Sequence, residues 1–588
     1  MELAHLETNP REVLDPSAFD DETWANRLRA DDPSGAREAF VTDLREGPTR
    51  TVPETDGVAL RRRWVDADPG YDRGFDLDPD AVVEGRHVGV YGIEHRFEDG
   101  IDWFYDASAD AEEQDFTREW QWQLNRHYQW ITLADAYEET GDRRYAEAFE
   151  EELRSWLSAC PRPDDSGRYY PSAWRTLETG ARAGWIWPYA FETFRRSDHV
   201  SDEALWWWLC SFREHGQHLL RYVTADNWKM AETNGLVHVG GMFPELAGAG
   251  TFLSTGIDRA IAEIERQFYP DGLQTELAPG YALMTVMNCY STLELARECG
   301  AADYGWLGVE VPDRTHERLA ESARAYARLA APDGRCPKLH DSRTVDPRPL
   351  FEDFHEGTPP WEAGRSDHIP WGGYGILRNE GRYALLDAGP YGSNHQHQDT
   401  LQVVGYADGA WTLVDPGSPQ YADSPITSHI RSAAGHNVAL LDGERHSIRP
   451  EIHRARSAPP MALAENGPLA ATAATRTFET DEGSWFDHER VLCDVSGVGW
   501  LVFDRLSPRD TQKHTAEWIW QTTSDASADG DGGTLAGDSV STTLSVASPI
   551  QCTMTTAFGE TDPYRGWGST EETKEHEPLP TLRVQSGE

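Results

Sequence analysis

Lysine is nearly absent from this sequence. Of its 53 basic residues 49 are arginine, and the lysines are Lys229, Lys338, Lys513 and Lys574. The 588 residues include 100 acids, so the formal net charge is -47. Nucleic acid is therefore not an expected partner, because a phosphate backbone binds a basic face. An acid excess along the whole chain is typical of proteins from a salt-rich cytoplasm, where a short Debye length screens carboxylate repulsion. We predict a halophilic, cytoplasmic protein; the alternative is an acidic protein of no special habitat.

Cysteine and long apolar runs are also scarce. The seven cysteines are scattered, odd in number and without Cys-x-x-Cys spacing, which predicts free thiols in a reducing compartment. No apolar run reaches the roughly 18 residues that a membrane span requires, so no membrane partner is expected. The first ten residues are polar and acidic, which indicates that a secretory signal is absent or has been removed.

Residues 110–335 are predicted to be helical, because their apolar residues recur at helical spacing. The predicted helices are Glu119–Tyr137, Tyr145–Leu157, Ser172–Phe194, Asp202–Val223, Glu232–Leu246, Ile257–Tyr269, Tyr281–Glu298 and Arg314–Ala331. The short turns between them predict consecutive antiparallel pairs. This region is rich in tryptophan. We expect most of these rings in the core and a minority in a cleft that stacks on sugar rings.

From about residue 370 the apolar period becomes two, which predicts an antiparallel β-sandwich. The predicted strands are Gly373–Arg378, Arg382–Asp387, Leu401–Ala407, Trp411–Val414, Asn437–Leu441, Thr475–Thr480, Arg490–Val495, Trp500–Leu506, Ala516–Gln521 and Thr542–Ser548. Residues 343–370, rich in Pro, Gly and charge, are predicted to be a linker, and Asp525–Gly533 a loop. Residues 1–100 are predicted to hold short mixed elements with a hairpin around His87–His95.

One polar cluster is His-x-His-x-Asp at residues 395–399, predicted to enter a strand. In a strand His395, His397 and Asp399 would point to one face. Asp415 and His436 follow further along the chain. Two imidazoles and a carboxylate from separate strands make a suitable zinc set. The alternative is a hydrogen-bonded histidine pair at a domain interface.

Two further clusters lie in the helical region. In the first, Asp226 or Asn227 is a candidate N-cap and Glu232 a first-turn acid. In the second, Tyr281 lies near a helix N-terminus, whose positive end would stabilise a phenolate. By themselves these residues are better explained by capping and core packing than by catalysis.

Taken together, the three clusters resemble the heparinase II/III-like polysaccharide lyases. The matching segments are Asn227-Trp228 through Phe243-Pro244-Glu245, Asp271-Gly272 through Tyr281, His395 through Asp399, Asp415-Pro416-Gly417 with Tyr421, Arg431 through Asp442-Gly443, and Trp122 through His127. The resemblance covers roughly residues 85–505. The chain departs from the family pattern at Gln396 and Gln398, and at Trp228, where many relatives carry histidine.

The resemblance implies a multidomain α and β protein, an N-terminal (α/α) toroid followed by an antiparallel β-sandwich. The implied domains are an N-terminal mixed segment packing on the toroid at 1–100, the catalytic toroid at 101–342, the linker at 343–370 and the sandwich at 371–588. The implied activity is β-elimination on a uronic-acid-containing polysaccharide or oligosaccharide, which leaves an unsaturated uronate end.

The resemblance also implies roles for individual residues. Asn227 would bind and neutralise the uronate carboxylate, Tyr281 would act as base, acid or both, and His395 would assist or act on the opposite epimer. One structural Zn²⁺ would be held by His397, Asp415 and His436. The candidate substrate-binding residues, for each of which a helix-packing role is the alternative, are Arg126, His127, Glu178, Arg182, Trp228 and Glu232.

Two other functions remain open from the sequence. A glycoside hydrolase on a similar toroid would need two carboxylates about 5–9.5 Å apart, which Glu178 and Glu232 could supply. A non-catalytic sugar-binding protein could keep the same fold. The joint presence of Asn227, Tyr281 and His395 favours the lyase.

Overall fold

The computed structural model describes residues 3–65, 77–110, 117–164, 172–301, 311–379, 381–450, 458–523, 525–529, 532–536, 540–571 and 573–587. The chain forms two compact units. The helical unit contains the chain up to Glu265 and Met284–His316, and the β-rich unit contains Arg266–Leu283 and the chain from Glu317 onward. The helical N-terminal and antiparallel C-terminal architecture predicted from the sequence is confirmed.

Helices dominate the chain up to residue 329. Their bounds are Pro10–Val13, Thr23–Arg29, Pro33–Glu46, Gly57–Trp64, Pro79–Val83, Glu119–Leu124, Gln129–Thr140, Arg143–Ala159, Thr176–Ala181, Trp187–Phe194, Asp202–Arg221, Asp226–Met242, Ala249–Gln267, Pro279–Ala301 and Asp313–Leu329. The predicted hairpin is confirmed, since Arg86–Val88 pairs antiparallel with Glu94–Arg96. No helix among the described residues is long and apolar enough to cross a membrane.

Two predicted helices are interrupted. The predicted Glu119–Tyr137 helix breaks where His127 adopts a left-handed backbone, with φ 66°. The predicted Ser172–Phe194 helix contains a π turn at Arg182–Ile186. Pro188 follows this turn and has no N–H to continue a regular α-helical ladder. The apolar periodicity of the sequence does not reveal either break, because the helical segments before and after each break both keep an apolar buried face.

The core of the helical unit is built from aromatic rings. Trp130 and Trp187 stack with their centroids 5.8 Å apart, and Phe149 and Phe194 stack at 4.0 Å. All four side chains are fully buried. The tryptophans of this unit therefore mostly pack helix against helix, as expected from the sequence.

The β-rich unit contains three main antiparallel sheets. The first comprises Asp367–Ile369, Tyr374–Asn379, Arg382–Asp387, Val403–Ala407 and Ala410–Leu413 in sequential order. The second comprises Met461–Asn466, Leu469–Thr480, Trp485–Val495 and Gly499–Pro508, with His446–Ser447 paired to its second strand. The third runs in the order Cys552–Ala557, Thr581–Ser586, Ala516–Gln521 and Ala439–Leu441. All three contribute side chains to one hydrophobic cluster, as in a sandwich.

Two segments predicted to be irregular are ordered instead. The predicted linker at 343–370 contains the helix Arg348–Phe354 and the strand Asp367–Ile369. The predicted loop at Asp525–Gly533 contains Asp525–Asp529 paired with Gly532–Ala536, which in turn pairs with Ser541–Ser545. Small and polar residues mask these strands in the sequence, because little of the three-stranded sheet is buried.

The two units do not follow the predicted domain boundaries. Residues 317–342 belong to the β-rich unit. Tyr383 donates a hydrogen bond to the carbonyl of Leu329 at 2.7 Å, and Arg378 donates to the carbonyls of Arg328 and Ala330. The first sheet thereby satisfies the otherwise unpaired C-terminal carbonyls of the helix Asp313–Leu329.

All seven cysteines are free thiols, and six of them are buried. Burial raises the pKa of Cys160 to about 12 and that of Cys299 to about 11. These thiols are therefore protonated near neutral pH and serve as small apolar core residues.

Candidate active site

Tyr281, Tyr421 and His395 form a contiguous group in the β-rich unit. The ring of Tyr281 stacks on that of His395, with centroids 3.6 Å apart and planes 14° from parallel. The hydroxyls of Tyr281 and Tyr421 contact each other. The Tyr421 hydroxyl also lies 3.3 Å from His395 Nδ1. All three side chains are partly exposed, so a substrate could reach them.

His395 does not lie in a strand, which corrects the prediction from the sequence. Residues 393–401 form an irregular loop, and His395 has φ 68°. A left-handed backbone costs a non-glycine residue on the order of 1 kcal/mol and persists only where its surroundings hold it. The expected alternation of His395, His397 and Asp399 onto one strand face is therefore wrong.

A buried carboxylate joins the two histidines instead. Asp341 Oδ2 lies 3.2 Å from His395 Nδ1, and Asp341 Oδ1 lies 3.0 Å from His397 Nε2. Arg431 donates to both oxygens of Asp341 at 3.1 Å. Burial raises the pKa of Asp341, but hydrogen bonds from the two histidines and the charge of Arg431 outweigh it and hold this pKa well below its usual range. Asp341 is therefore an anion that only accepts hydrogen bonds.

The hydrogen bonds of Asp341 and Tyr421 indicate where the hydrogens of His395 and Tyr421 lie. Since Asp341 only accepts, His395 Nδ1 carries a hydrogen, and its Nε2 is the ring nitrogen not bound to Asp341. Burial, together with Tyr281 and Asp341, raises the pKa of Tyr421 well above its ordinary value, so Tyr421 stays protonated. Its hydroxyl contacts that of Tyr281, and a hydrogen bond donated by Tyr421 would stabilise a phenolate at Tyr281. This arrangement suits Tyr281 to exchange a proton with a substrate.

His397, Asp415 and His436 form a fully buried group with metal-ligand geometry. Their potential ligand atoms all lie within 4.8 Å of one another. His397 Nδ1 is 3.3 Å from His436 Nε2, which in turn is 3.7 Å from Asp415 Oδ2. Zinc–nitrogen bonds of about 2.0–2.1 Å at tetrahedral angles place two ligand atoms about 3.3 Å apart. The predicted set is thus brought together with spacings that fit the ion.

The outer hydrogen-bond partners of the two histidines direct one ring nitrogen of each toward the other. His397 Nε2 donates to Asp341, so its Nδ1 is the ring nitrogen that faces His436. His436 Nδ1 donates to the carbonyl of Ser432 at 2.9 Å, so its Nε2 is the ring nitrogen that faces His397. Burial lowers the pKa of His436, which keeps it neutral. Two ring nitrogens facing each other at 3.3 Å are suited to holding a metal ion between them or to sharing a proton, so the group fits either a metal or a hydrogen-bonded histidine pair.

A second buried group next to it also has metal-ligand spacing, and it contains an ion pair. His340 Nδ1 lies 2.9 Å from Asp399 Oδ2, and His340 Nε2 lies 3.9 Å from Asp387 Oδ2. Burial alone would lower the pKa of His340, but Asp399 and Asp387 raise it to about 9. Gln402 Nε2 donates to both Asp399 and Asp415 at 2.9 Å and thereby links the two groups.

Asn227 and Trp228 lie at the start of a helix in the helical unit. The helix Asp226–Met242 begins six residues earlier than predicted, and its N-cap is Ala225 rather than Asp226 or Asn227. Asn227 is partly exposed in the first turn. The Arg175 guanidinium lies over the partly exposed indoles of Trp228 and Trp122, at 4.6 Å and 3.5 Å from the ring centroids. A partly exposed amide next in sequence to a partly exposed indole is suited to a sugar ligand.

Four of the predicted substrate-binding residues are inside the helical unit. His127, Glu178, Arg182 and Glu232 are each fully buried. The indole of Trp187 donates to His127 at 3.0 Å, and Arg182 donates to the carbonyl of Asn125. These four residues contact protein, so we reassign them to packing. Arg126, with a side chain 13% exposed, and Trp228 stay predictions.

Glu178 and Glu232 do not form the pair of accessible carboxylates that a glycoside hydrolase would need. Glu178 accepts hydrogen bonds from both Arg175 and Arg126, whose charges outweigh burial and lower its pKa. Glu232 accepts from the backbone and hydroxyl of Thr224 at 2.8 Å and 2.6 Å. Neither oxygen pair faces solvent, so this structure does not favour the hydrolase alternative.

Sequence reasoning missed Asp341 and gave no role to Tyr421 or Arg431. Asp341 stands between the last helix and the predicted linker, without a local pattern that marks it. The signal for the other two was present, because both lie in segments that match the family. No rule of spacing connects them to His395, since 26 residues separate Tyr421 from it in the chain.

Two family models and several known proteins are similar to this chain. Residues 78–359 match the family model described as heparinase II/III N-terminus, and residues 363–577 match the heparinase II/III-like C-terminal model. A heparin-sulfate lyase from Bacteroides stercoris is 24% identical over 396 residues, covering 60% of this chain and 57% of the relative. A heparin-sulfate lyase from Pedobacter heparinus is 27% identical over 430 residues, covering 68% of this chain and 62% of the relative. The chain thus spans less than two thirds of the length of these relatives.

Solved structures show the same fold. A crystal structure of heparinase III aligns with a TM-score of 0.80 at 17% identity, covering 99% of this chain and 92% of the other. A heparan sulfate lyase from Pedobacter heparinus aligns with a TM-score of 0.63 at 17% identity, covering 100% of this chain and 90% of the other. The two family models together span most of the sequence and account for the helical and β-rich parts alike. The chain belongs to the heparinase II/III family.

Proposed function

We propose that the protein is a polysaccharide lyase that cleaves a uronate-containing polysaccharide by β-elimination. The observation that carries this proposal is the group of Tyr281, Tyr421 and His395, in which a hydrogen-bonded tyrosine hydroxyl is exposed beside an oriented imidazole. The relatives named heparin-sulfate lyase support the same chemistry.

The reaction removes the C5 proton of a uronate and breaks the bond between C4 and the linking O4. The electrons of the C5–H bond form the C4=C5 double bond, and O4 leaves with a proton. A residue that first accepts the C5 proton and then protonates O4 completes the balance without water. Tyr281 suits both steps, because a hydrogen bond donated by the adjacent Tyr421 hydroxyl would stabilise its phenolate form.

The C5 proton is weakly acidic until the neighbouring carboxylate is neutralised. We assign this neutralisation to Asn227, whose amide would donate to the carboxylate as negative charge develops there. His395 presents Nε2 as a second acceptor, because Nδ1 is bound to Asp341. On the opposite epimer, Nε2 would take the C5 proton in place of Tyr281.

The proposed substrate class is a glycosaminoglycan or a related uronan. The partners named for the relatives, heparin and heparan sulfate, are the first to test. The net charge of -47 disfavours a heavily sulfated polyanion at low salt. We therefore expect any preference for weakly sulfated or unsulfated chains to grow as salt is lowered, with Trp122 and Trp228 stacking on the sugar rings.

We further propose that His397, Asp415 and His436 hold one structural Zn²⁺. The converging ligand atoms described above support this assignment. Bound there, the ion would cross-link the loop of His397 to the segments of Asp415 and His436. The ion is assigned no contact with the substrate.

The function is tested by a polymer screen in molar salt. Purified full-length protein is incubated with heparan sulfate, hyaluronan, alginate, ulvan and desulfated uronans, and the absorbance of unsaturated uronate is followed. We expect absorbance to rise together with the number of reducing ends. New reducing ends without the absorbance would indicate hydrolysis, and binding without new ends would indicate a sugar-binding protein. Either result would overturn the lyase proposal.

Asn227→Ala should lower kcat by about 10²- to 10³-fold, the usual value of one charge-stabilising donor. The fold should be kept, because residue 227 is partly exposed in a first helical turn. Turnover is measured at saturating polymer, with the melting temperature as the check on folding. Lys229→Ala is the matched control, since Lys229 lies in the same turn and bonds to Glu263. A loss shared equally by both variants would argue that the helix turn, and not the amide, is needed.

High salt should be required for folding and activity. With a net charge of -47, the carboxylates repel one another in dilute buffer. Salt screens this repulsion, because the Debye length falls from about 30 Å at 0.01 M to about 3 Å at 1 M salt. Circular dichroism and turnover are compared between about 0.05 M and 2 M salt. Sucrose at matched osmolality is the control, because it favours compact states without screening charge. Equal structure and activity at both salt concentrations would contradict the halophilic proposal.

A further inference from the structure

We propose that Asp341 is a positioning residue that couples the metal group of His397, Asp415 and His436 to His395. Its carboxylate fixes the orientation of both imidazoles, so that occupancy of the metal group controls how His395 is presented to the substrate. The expected change in turnover rests on the proposed lyase function. The expected changes in imidazole orientation and zinc affinity rest on the hydrogen bonds of this chain.

The coupling begins with the two oxygens of one side chain. Oδ1 lies 3.0 Å from His397 Nε2, and Oδ2 lies 3.2 Å from His395 Nδ1. A carboxylate bound to one ring nitrogen selects the tautomer and fixes the rotation of the ring. For His397 this directs Nδ1 to His436 and to any ion between them. For His395 it leaves Nε2 for the substrate.

Arg431 keeps this carboxylate in one orientation. Its Nη2 donates to both oxygens of Asp341 at 3.1 Å, while its guanidinium lies 5.3 Å from the ring centroid of Tyr421. The Arg431 guanidinium therefore interacts with both the Asp341 carboxylate and the Tyr421 ring. Arg431 restrains the carboxylate on one side and the two imidazoles restrain it on the other. A movement of one imidazole therefore changes the orientation of the other through Asp341.

The backbone adds a second restraint. The N–H of Asp341 donates to the carbonyl of His395 at 3.0 Å. His340 and His395 both have left-handed backbones, with φ 59° and 68°. Two such residues in facing segments are unfavourable unless side-chain contacts hold them. A metal bound through His397 would supply such a contact two residues from His395.

The test replaces Asp341 with asparagine in the full-length chain. Asn has nearly the same shape but only one acceptor oxygen, so it can bind one imidazole and not both. We expect zinc affinity to fall about 10- to 100-fold, the usual effect of losing an outer partner of a ligand. With zinc restored in excess, kcat should still be about 10- to 100-fold low and KM nearly unchanged. The ¹⁵N spectrum of His395 should show loss of the single tautomer.

Asp504→Asn is the matched control. The Asp504 side chain is only 6% exposed and likewise binds a histidine and an arginine, His488 at 2.7 Å and Arg490 at 2.7 Å. It contacts none of the proposed catalytic or metal-binding residues. This variant should lower the melting temperature and leave kcat, zinc affinity and the His395 spectrum as in the wild type. The comparison separates positioning from the loss of a buried carboxylate.

A second measurement needs no variant and covers the case in which Asp341→Asn fails to fold. Zinc is removed from the wild type by a chelator well below its melting temperature, and the His395 signal is followed. We expect it to shift on removal and to return when zinc is added back. An unchanged His395 signal in both experiments, or full kcat in zinc-loaded Asp341→Asn, would overturn the coupling. If no polymer is cleaved by the wild type, the lyase proposal fails, and zinc affinity and the spectrum still decide the role of Asp341.

Discussion

Tyr281→Phe should lower kcat by about 10²-fold or more while the protein stays folded. The substitution keeps the ring that stacks on His395 and removes only the hydroxyl that Tyr421 contacts. A placed general acid or base typically contributes 10²- to 10⁴-fold. Losing one partly exposed hydrogen bond costs roughly 0.5–1.5 kcal/mol of stability, so the melting temperature should change by only a few degrees. Turnover on the cleaved polymer and thermal unfolding are measured in parallel.

Tyr383→Phe is the control for this experiment. Tyr383 is a fully buried tyrosine of the same unit, and its hydroxyl donates to the carbonyl of Leu329 at 2.7 Å. Its loss should reduce stability at least as much and leave kcat unchanged. Near-wild-type turnover of Tyr281→Phe would remove this hydroxyl from the mechanism and make His395 the better candidate base.

Helices and buried strands were largely predictable, because burial imposes a period on the sequence. Arg382–Asp387 and Ala516–Gln521 were predicted with the bounds that the structure shows. Periodicity does not report hydrogen bonds within a helix, so the break at His127 and the π turn at Arg182–Ile186 were not predicted. It also fails in sheets with few buried residues, as at Asp525–Asp529.

Only part of the candidate site was predicted in its residues, and none of it in its geometry. Tyr281, His395 and the set of His397, Asp415 and His436 were named from motif order, and the structure brings the last three together. The strand assumed for His395 is a left-handed loop, which no alternation of polar residues would reveal. Here the ring orientations depend on contacts with Asp341, 54 residues earlier in the chain.

The difference between knowing a residue and knowing its surroundings also explains the errors among the predicted substrate-binding residues. Charged residues in a helix are usually exposed, so Glu178 and Arg182 were reasonable candidates. The structure buries both. Glu178 is paired with Arg126 and Arg175, and Arg182 lies 4.6 Å from the ring centroid of Trp156. In a sequence rich in tryptophan and arginine, guanidinium groups can pack on indoles inside the core, and composition alone does not distinguish this from a binding cleft.

His436→Ala should abolish stoichiometric zinc binding and lower the melting temperature of the β-rich unit. His436 Nε2 is one of the two facing ring nitrogens, so its removal leaves His397 and Asp415 as an incomplete set. A ligand that binds only the folded state stabilises it by about 4.1 kcal/mol at a free concentration 1,000 times its Kd. Chelation should therefore lower the melting temperature of the wild type and have no effect on the variant. Elemental analysis and thermal unfolding, with and without chelator, measure both effects.

His429→Ala separates metal loss from the loss of a buried imidazole. His429 is fully buried in the short helix Pro425–Arg431, close in sequence to His436 but outside the metal group. This variant should lose packing energy, keep one zinc per chain and remain sensitive to chelator. Freshly folded wild-type protein without stoichiometric transition metal would reject the site. In that case the facing ring nitrogens of His397 and His436 must share a proton, and adding zinc would leave the melting temperature of the wild type unchanged.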